Sequence, residues 1–204
     1  MKRKTPLPAM TEQRLAAILA YLRQHAPHWS REREAVAIQI CHAFASTTLG
    51  NGIGILEADC IDDYLDNSSP EYRQYRAQDE REHWENVLFQ GDMVEKLPHF
   101  NPSSAFTFMD GAGRRFALPY YLLWALQDAD STAHELLSYA LAKDYYTRDL
   151  PLNPVQQRAL YAAIAYLAQS EAEEYNDGYY ICRNSPWDEA LAHLAQALPD
   201  LAAA

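Results

Sequence analysis

The side chains with most chemistry to offer lie between Glu57 and His83. They are Glu57, Asp59, Asp62, Asp63 and Asp66, then Asp79, Glu80, Glu82 and His83. Carboxylates held close together must share a proton or take up a hard cation, because like charges raise one another's pKa. Glu80 and His83 stand three apart, so on a helix they share a face as one ExxH pair. A carboxylate-bridged di-metal centre needs a second such pair and further glutamates from other helices. The chain has no other ExxH. The run from Glu57 to Asp63 also departs from the calcium-loop pattern of an EF-hand. The candidate metal ligands are therefore Glu57, Asp62, Asp63, Asp79, Glu80 and His83, and a divalent cation is the one cofactor class that suits them. The competing expectation is that these acids solvate helix faces and cap helix ends, and that no cofactor is bound.

No other motif selects a reaction. The 7 histidines include no HExxH and none at zinc spacing to a cysteine. His42, close to Phe44, reads as a core or boundary residue. No GxSxG elbow occurs, so no serine is singled out as a nucleophile. Gly50, Gly52 and Gly54 mimic a phosphate loop, but no lysine or preceding strand accompanies them. They also follow a helix, whose C-terminal dipole repels anions. The 3 cysteines, Cys41, Cys60 and Cys182, are far apart and form no CxxC, which fits reduced, buried thiols.

These side chains must be positioned by helices. Thr11 caps a helix expected over 12–24, and Ser30 caps a second that runs to about 46. A short helical turn is expected around 58–65, a longer helix over 71–89, and a short one over 92–97. Further helices are expected over 120–127 and 132–145. Asn153, Pro154 and Gln156 give the clearest helix start, a capping box with proline at its first position. Ser185 and Pro186 open a last helix to about 198.

One segment reads as β. Ala105–Met109 and Arg114–Leu118 flank Asp110-Gly111-Ala112-Gly113, which suggests a hairpin with Gly113 in the left-handed position of a bulged turn. A three-residue loop places Phe106, Phe108, Phe116 and Leu118 on one face, which must then be buried. Pro119 would end the second strand and start a helix. The fold class expected is α+β, predominantly helical, with about seven helices packed around one short antiparallel hairpin. Residues 1–10 read as a flexible tail, and 11–204 as a single domain.

Bulk properties narrow the partners. The chain has 204 residues, 17 basic and 28 acidic, for a net charge of −11. That balance disfavours nucleic acid, which needs a basic surface. No apolar run reaches membrane-spanning length, and the amino terminus is unlike a secretory signal, so a cytoplasmic location is expected. Tyrosine is frequent at 14 residues, with doublets at Tyr120-Tyr121, Tyr145-Tyr146 and Tyr179-Tyr180. Tyrosine suits interfaces because it buries area while keeping a polar tip. On a helix, one ring of each doublet would face the core and the other the surface.

Three pieces carry a resemblance. They are Gly50 through Ala58 running into Ile61-Asp62-Asp63-Tyr64, Asp79-Glu80 with Trp84, and Phe106 through Asp110 with Arg115 through Pro119. Together, over about residues 35–170, they resemble DUF6714, a family of uncharacterised bacterial proteins. The resemblance implies a small cytoplasmic protein and assigns no activity. The function favoured is a non-enzymatic, acidic binding or interaction protein whose partner has a basic surface. The alternative is a metal-dependent hydrolase using segment 57–83. The sequence leaves the oligomeric state open.

Overall fold

The computed structural model describes residues 10–26, 29–89, 102–128, 131–174 and 186–198. Among these residues the secondary structure is entirely helical. The helices are α1 (Glu12–His25), α2 (Arg31–Phe44), α3 (Ile55–Asp62), α4 (Pro70–Gln78), α5 (Glu85–Phe89) and α6 (Pro102–Phe108). They continue as α7 (Gly111–Gln127), α8 (Thr132–Leu141), α9 (Asp144–Thr147), α10 (Pro154–Glu174) and α11 (Pro186–Ala197). The expected hairpin is absent, and the fold is all-α, with eleven helices among the described residues rather than about seven.

The hairpin segment is a helix, a tight corner and a second helix. Asp110 is the N-cap of α7, its carboxylate accepting from the Gly113 amide at 2.8 Å and the Ile53 amide at 3.1 Å. The two corner glycines are needed for close approach, not for a left-handed turn. A Cβ on Gly111 would meet the Asp149 carbonyl oxygen at 2.1 Å, and one on Gly113 the Ile53 carbonyl oxygen at 2.0 Å. Phe106, Phe116 and Leu118 are buried as expected, but Phe108 is 38% exposed. Pro119 lies inside α7 rather than at its start. It forfeits one backbone bond there, and packing on every side compensates.

That packing makes α7 the centre of the molecule. It touches α1, α2, α5, α8 and α10, and its buried residues include Phe116, Leu118, Tyr121, Leu122 and Leu126. A helix apolar all round has to be covered all round. Both rings of the Tyr120-Tyr121 doublet are buried, against the expected division between core and surface. Around this axis, α10 lies against α2 and α11, and α8 against α11. The smaller helices α3 and α6 pack together, and α6 reaches α8.

The capping signals hold. Thr11 and Ser30 accept from the amides of Arg14 and Arg33, and the structure adds Ser131, which accepts from the His134 amide at the start of α8. The Asn153 side chain accepts from Val155 and Gln156, and Gln156 returns a bond to the Asn153 amide at 3.1 Å. The long helix expected over 71–89 is instead α4, a bend from Asp79 to Trp84, and α5. The helix expected over 132–145 divides into α8 and α9. Met10, assigned to the tail, packs into the core. The expected helix at 92–97, residues 1–9, Cys182 and the Tyr179-Tyr180 doublet lie outside the described residues.

Candidate functional site

The bend between α4 and α5 gathers Asp79 and Glu80 beside the buried Glu57, and each of these three has a structural partner. Asp79 ends α4 and turns its carboxylate onto the first turn of α3. Oδ1 accepts from the Leu56 amide at 2.8 Å and Oδ2 from the Glu57 amide at 3.1 Å. Gly54 makes this contact possible, because a Cβ there would lie 2.2 Å from the Asp79 carboxyl carbon. Burial pushes the Asp79 carboxyl up to about 6 against the pull of those amides and of Arg81. The space beside it, lined by Gly54, Gly113 and Phe116, is about 10 Å³, room for about one water.

This geometry also settles the glycine loop. Gly54 is the N-cap of α3, so the loop leads into a helix N-terminus and does not merely follow a C-terminus. The anion position there is filled by Asp79, a carboxylate from the chain itself. Gly50, with φ +59°, is the glycine among the described residues that uses left-handed backbone.

Glu57 is 1% exposed and sits among cations. Its Oε1 accepts from Tyr72 at 2.7 Å and pairs with Arg76, while Oε2 lies 3.8 Å from Arg81 Nη2 with no hydrogen bond. Arg81 also donates to the carbonyls of Gly50 at 2.8 Å and Gly52 at 3.3 Å. Glu80 caps its own bend. Its Oε1 accepts from the amides of Arg81, Glu82 and His83, and Oε2 from the Asn86 side chain. Partial burial works to raise the Glu80 carboxyl, but those donors prevail and hold it below its usual value. Trp84 completes the bend by donating from its indole to the Phe44 carbonyl at the end of α2, at 3.0 Å. Glu85 follows and binds Arg14 of α1 at 2.6 Å.

Of the six candidate ligands, the structure brings Glu57 and Asp79 into one buried network. It does not bring the others to them. Glu80 faces its own bend, Asp62 and His83 are half-buried, and Asp63 is exposed. Among the described residues no three His, Cys, Asp or Glu side chains are grouped to hold a metal ion. His42 is exposed, contrary to the reading of it as a core or boundary residue. Cys41 and Cys60 are buried thiols, both pushed up to about 12 chiefly by burial, so neither is a ready nucleophile.

A second feature was not legible as a motif. A groove of about 290 Å³ runs between α6 and α8 and ends at α9. Ser103, Ser104, Thr107 and Phe108 line it from α6, Glu135, Leu136 and Tyr139 from α8, and Tyr146 from α9. Leu136 is buried, while Phe108 and Tyr139 stand out at 38% and 60% exposure. Tyr145, also exposed, packs edge-on to Tyr146 with ring centroids 5.0 Å apart. Beneath them Arg114 donates to the carbonyls of Phe106 and Thr107. Its guanidinium lies 5.3 Å and 5.1 Å from the Tyr145 and Tyr146 ring centroids. The sequence signal was the 145-146 doublet, while reading Phe108 as a buried strand residue concealed the other wall.

A family model described as a family of unknown function, DUF6714, matches residues 32–193. No curated protein and no solved structure matches the chain. No helix among the described residues is long and apolar enough to cross a membrane. The chain belongs to the DUF6714 family.

Proposed function

We propose that this member of the family is a non-enzymatic, acidic binding protein that acts in the cytoplasm on a protein partner with a basic surface. The observation that carries the reading is the fate of the acids. Glu57, Asp79 and Glu80 hold the fold together through Arg76, Arg81, Tyr72 and the amide groups of α3 and the bend. Carboxylates engaged in this way are not arranged to activate water or hold a metal. The net charge of −11 supports a basic partner through long-range steering. Exposed aromatic rings on α6, α8 and α9 supply the contact area that such a partner needs.

The alternative, a metal-dependent hydrolase, draws no support from this geometry. Chemical crosslinking of the tagged protein in cell extract at a series of salt concentrations, followed by mapping of the crosslinked residues, tests the reading against it. Crosslinks to basic proteins that concentrate on one face and weaken with added salt are expected. Saturable thermal stabilisation by Mg²⁺, Mn²⁺ or Zn²⁺ that disappears in Glu57→Gln would overturn the reading in favour of the metal enzyme.

A further inference from the structure

The groove between α6 and α8 permits a more specific statement, which rests on the binding-protein reading above. Its walls are aromatic, Phe108 on one side and Tyr139 on the other, and Leu136 is buried between the lining residues. Three of the six exposed large apolar side chains among the described residues, Phe108, Tyr139 and Tyr145, belong to this one face. Glu135 is the single charged residue in the lining, one helical turn before Tyr139 on α8. A carboxylate beside aromatic walls suits a cation on an apolar stem, because the stem covers the rings while the charge meets the acid. Tyr139 already attracts one such group, the Lys143 ammonium 5.3 Å from its ring centroid. The end of the groove is held in place by Arg114 under Tyr145 and Tyr146 and by the Thr107–Tyr146 hydroxyl contact at 3.0 Å. A surface set in advance loses less freedom on binding.

We propose that this groove receives a basic segment of a partner protein, with a lysine or arginine stem between Phe108 and Tyr139 and its charge at Glu135. The acidity of the whole chain steers such a segment inward, and Lys143 acts as a weak internal competitor for the Tyr139 face.

The test is a titration of the isotope-labelled full chain, followed by amide resonances, with acetyl-Leu-Arg-Leu-amide and with acetyl-Leu-Gln-Leu-amide. The arginine peptide is expected to give saturable shifts at Ser103, Thr107, Glu135 and Tyr139, and to bind roughly tenfold tighter than the glutamine peptide. Glu135→Gln, an exposed change that leaves the fold intact, should erase that difference. Lys143→Ala should tighten the arginine peptide a few-fold, by about the worth of one exposed cation–π contact. Equal affinity for the two peptides, no saturable shift, or an unchanged preference in Glu135→Gln would overturn the assignment. Saturable arginine binding at other residues would also overturn it, while leaving the broader reading intact. Crosslinks that ignore salt and spread over every face would remove the broader reading, whatever the peptides do.

Discussion

Replacing Asp79 by asparagine separates two forces that act on one buried carboxyl. The ionised form accepts from the Leu56 and Glu57 amides, and burial opposes its charge. Burial prevails, raising the group from its ordinary value of 3.8 to about 6. The folded state therefore holds the proton more tightly than the unfolded chain. Stability from this group is fully present below the unfolded value and is lost as pH rises through about 6. With those two values, the contribution falls by about 2 kcal/mol between about pH 4.5 and 7.5, since each pH unit of difference is worth ~1.4 kcal/mol. In a chain of this size that is roughly 4–8 °C in melting temperature. Asparagine carries no titrating proton. It also sets its amide group against one backbone N–H, a loss that does not change with pH. The melting-temperature gap between wild type and Asp79→Asn should then be widest near pH 4.5 and narrow by those 4–8 °C toward pH 7.5, with thermal unfolding followed by circular dichroism. Other acids titrate equally in both proteins and cancel from the gap. A gap that stays constant or widens with pH would show that the α3 amides outweigh burial, and would refute the reasoning.

Three further outcomes follow from single contacts. Gly113→Ala would gain up to ~1 kcal/mol from helix propensity alone, but its Cβ meets the Ile53 carbonyl oxygen at 2.0 Å. A net loss of ~2 kcal/mol or more is expected, read as a lower urea midpoint at unchanged slope. Glu57→Gln removes the anion facing Arg76 and Arg81 while keeping an acceptor for Tyr72. Both arginines reach solvent, so the expected loss is about 1–3 kcal/mol, and a neutral result would show that the buried charge is dispensable. Tyr64 is 94% exposed at φ +56°, and Tyr64→Gly relieves that conformation. The expected gain is up to ~1 kcal/mol after the unfolded-state entropy of glycine is subtracted, and a clear fall in melting temperature would contradict it.

What could be read from the sequence was local. Asn153 with Gln156, and Ser30 and Thr11, cap helices because the required partners lie within a few residues. The stretch from Phe106 to Leu118 misled because its signals are ambiguous at short range. Aromatic residues around Asp-Gly-Ala-Gly favour a hairpin by propensity, and the same Asp110 is an equally good N-cap. The choice depends on Ile53 and Asp149, which are distant in sequence and press against Gly113 and Gly111. Tertiary contact overrode propensity. The scarcity of glycine, 7 in 204 residues, had already favoured helices.

Acids crowded in sequence, as between Glu57 and His83, look like a site. In the fold, the bend from Asp79 to Trp84 links elements that would otherwise leave backbone groups unsatisfied. Asp79 serves the start of α3, Arg81 the carbonyls of the glycine loop, and Trp84 the end of α2. Buried backbone donors and acceptors have to be matched, and charged side chains do this most strongly. Density of charge along the chain therefore marks where three segments meet. The groove has the opposite character: Ser104, Thr107, Phe108, Glu135, Tyr139 and Tyr146 come from three helices, so no single run of sequence carries the whole set. The proposed binding surface, built from such separated positions, depends on the Asp79–Trp84 bend indirectly. The bend fixes α3 through Asp79, α3 carries α6, and α6 forms one wall of the groove. Changes at Glu57 or Asp79 should thus weaken recognition only as far as they loosen the fold, while changes at Glu135 or Tyr139 should weaken it with stability unchanged.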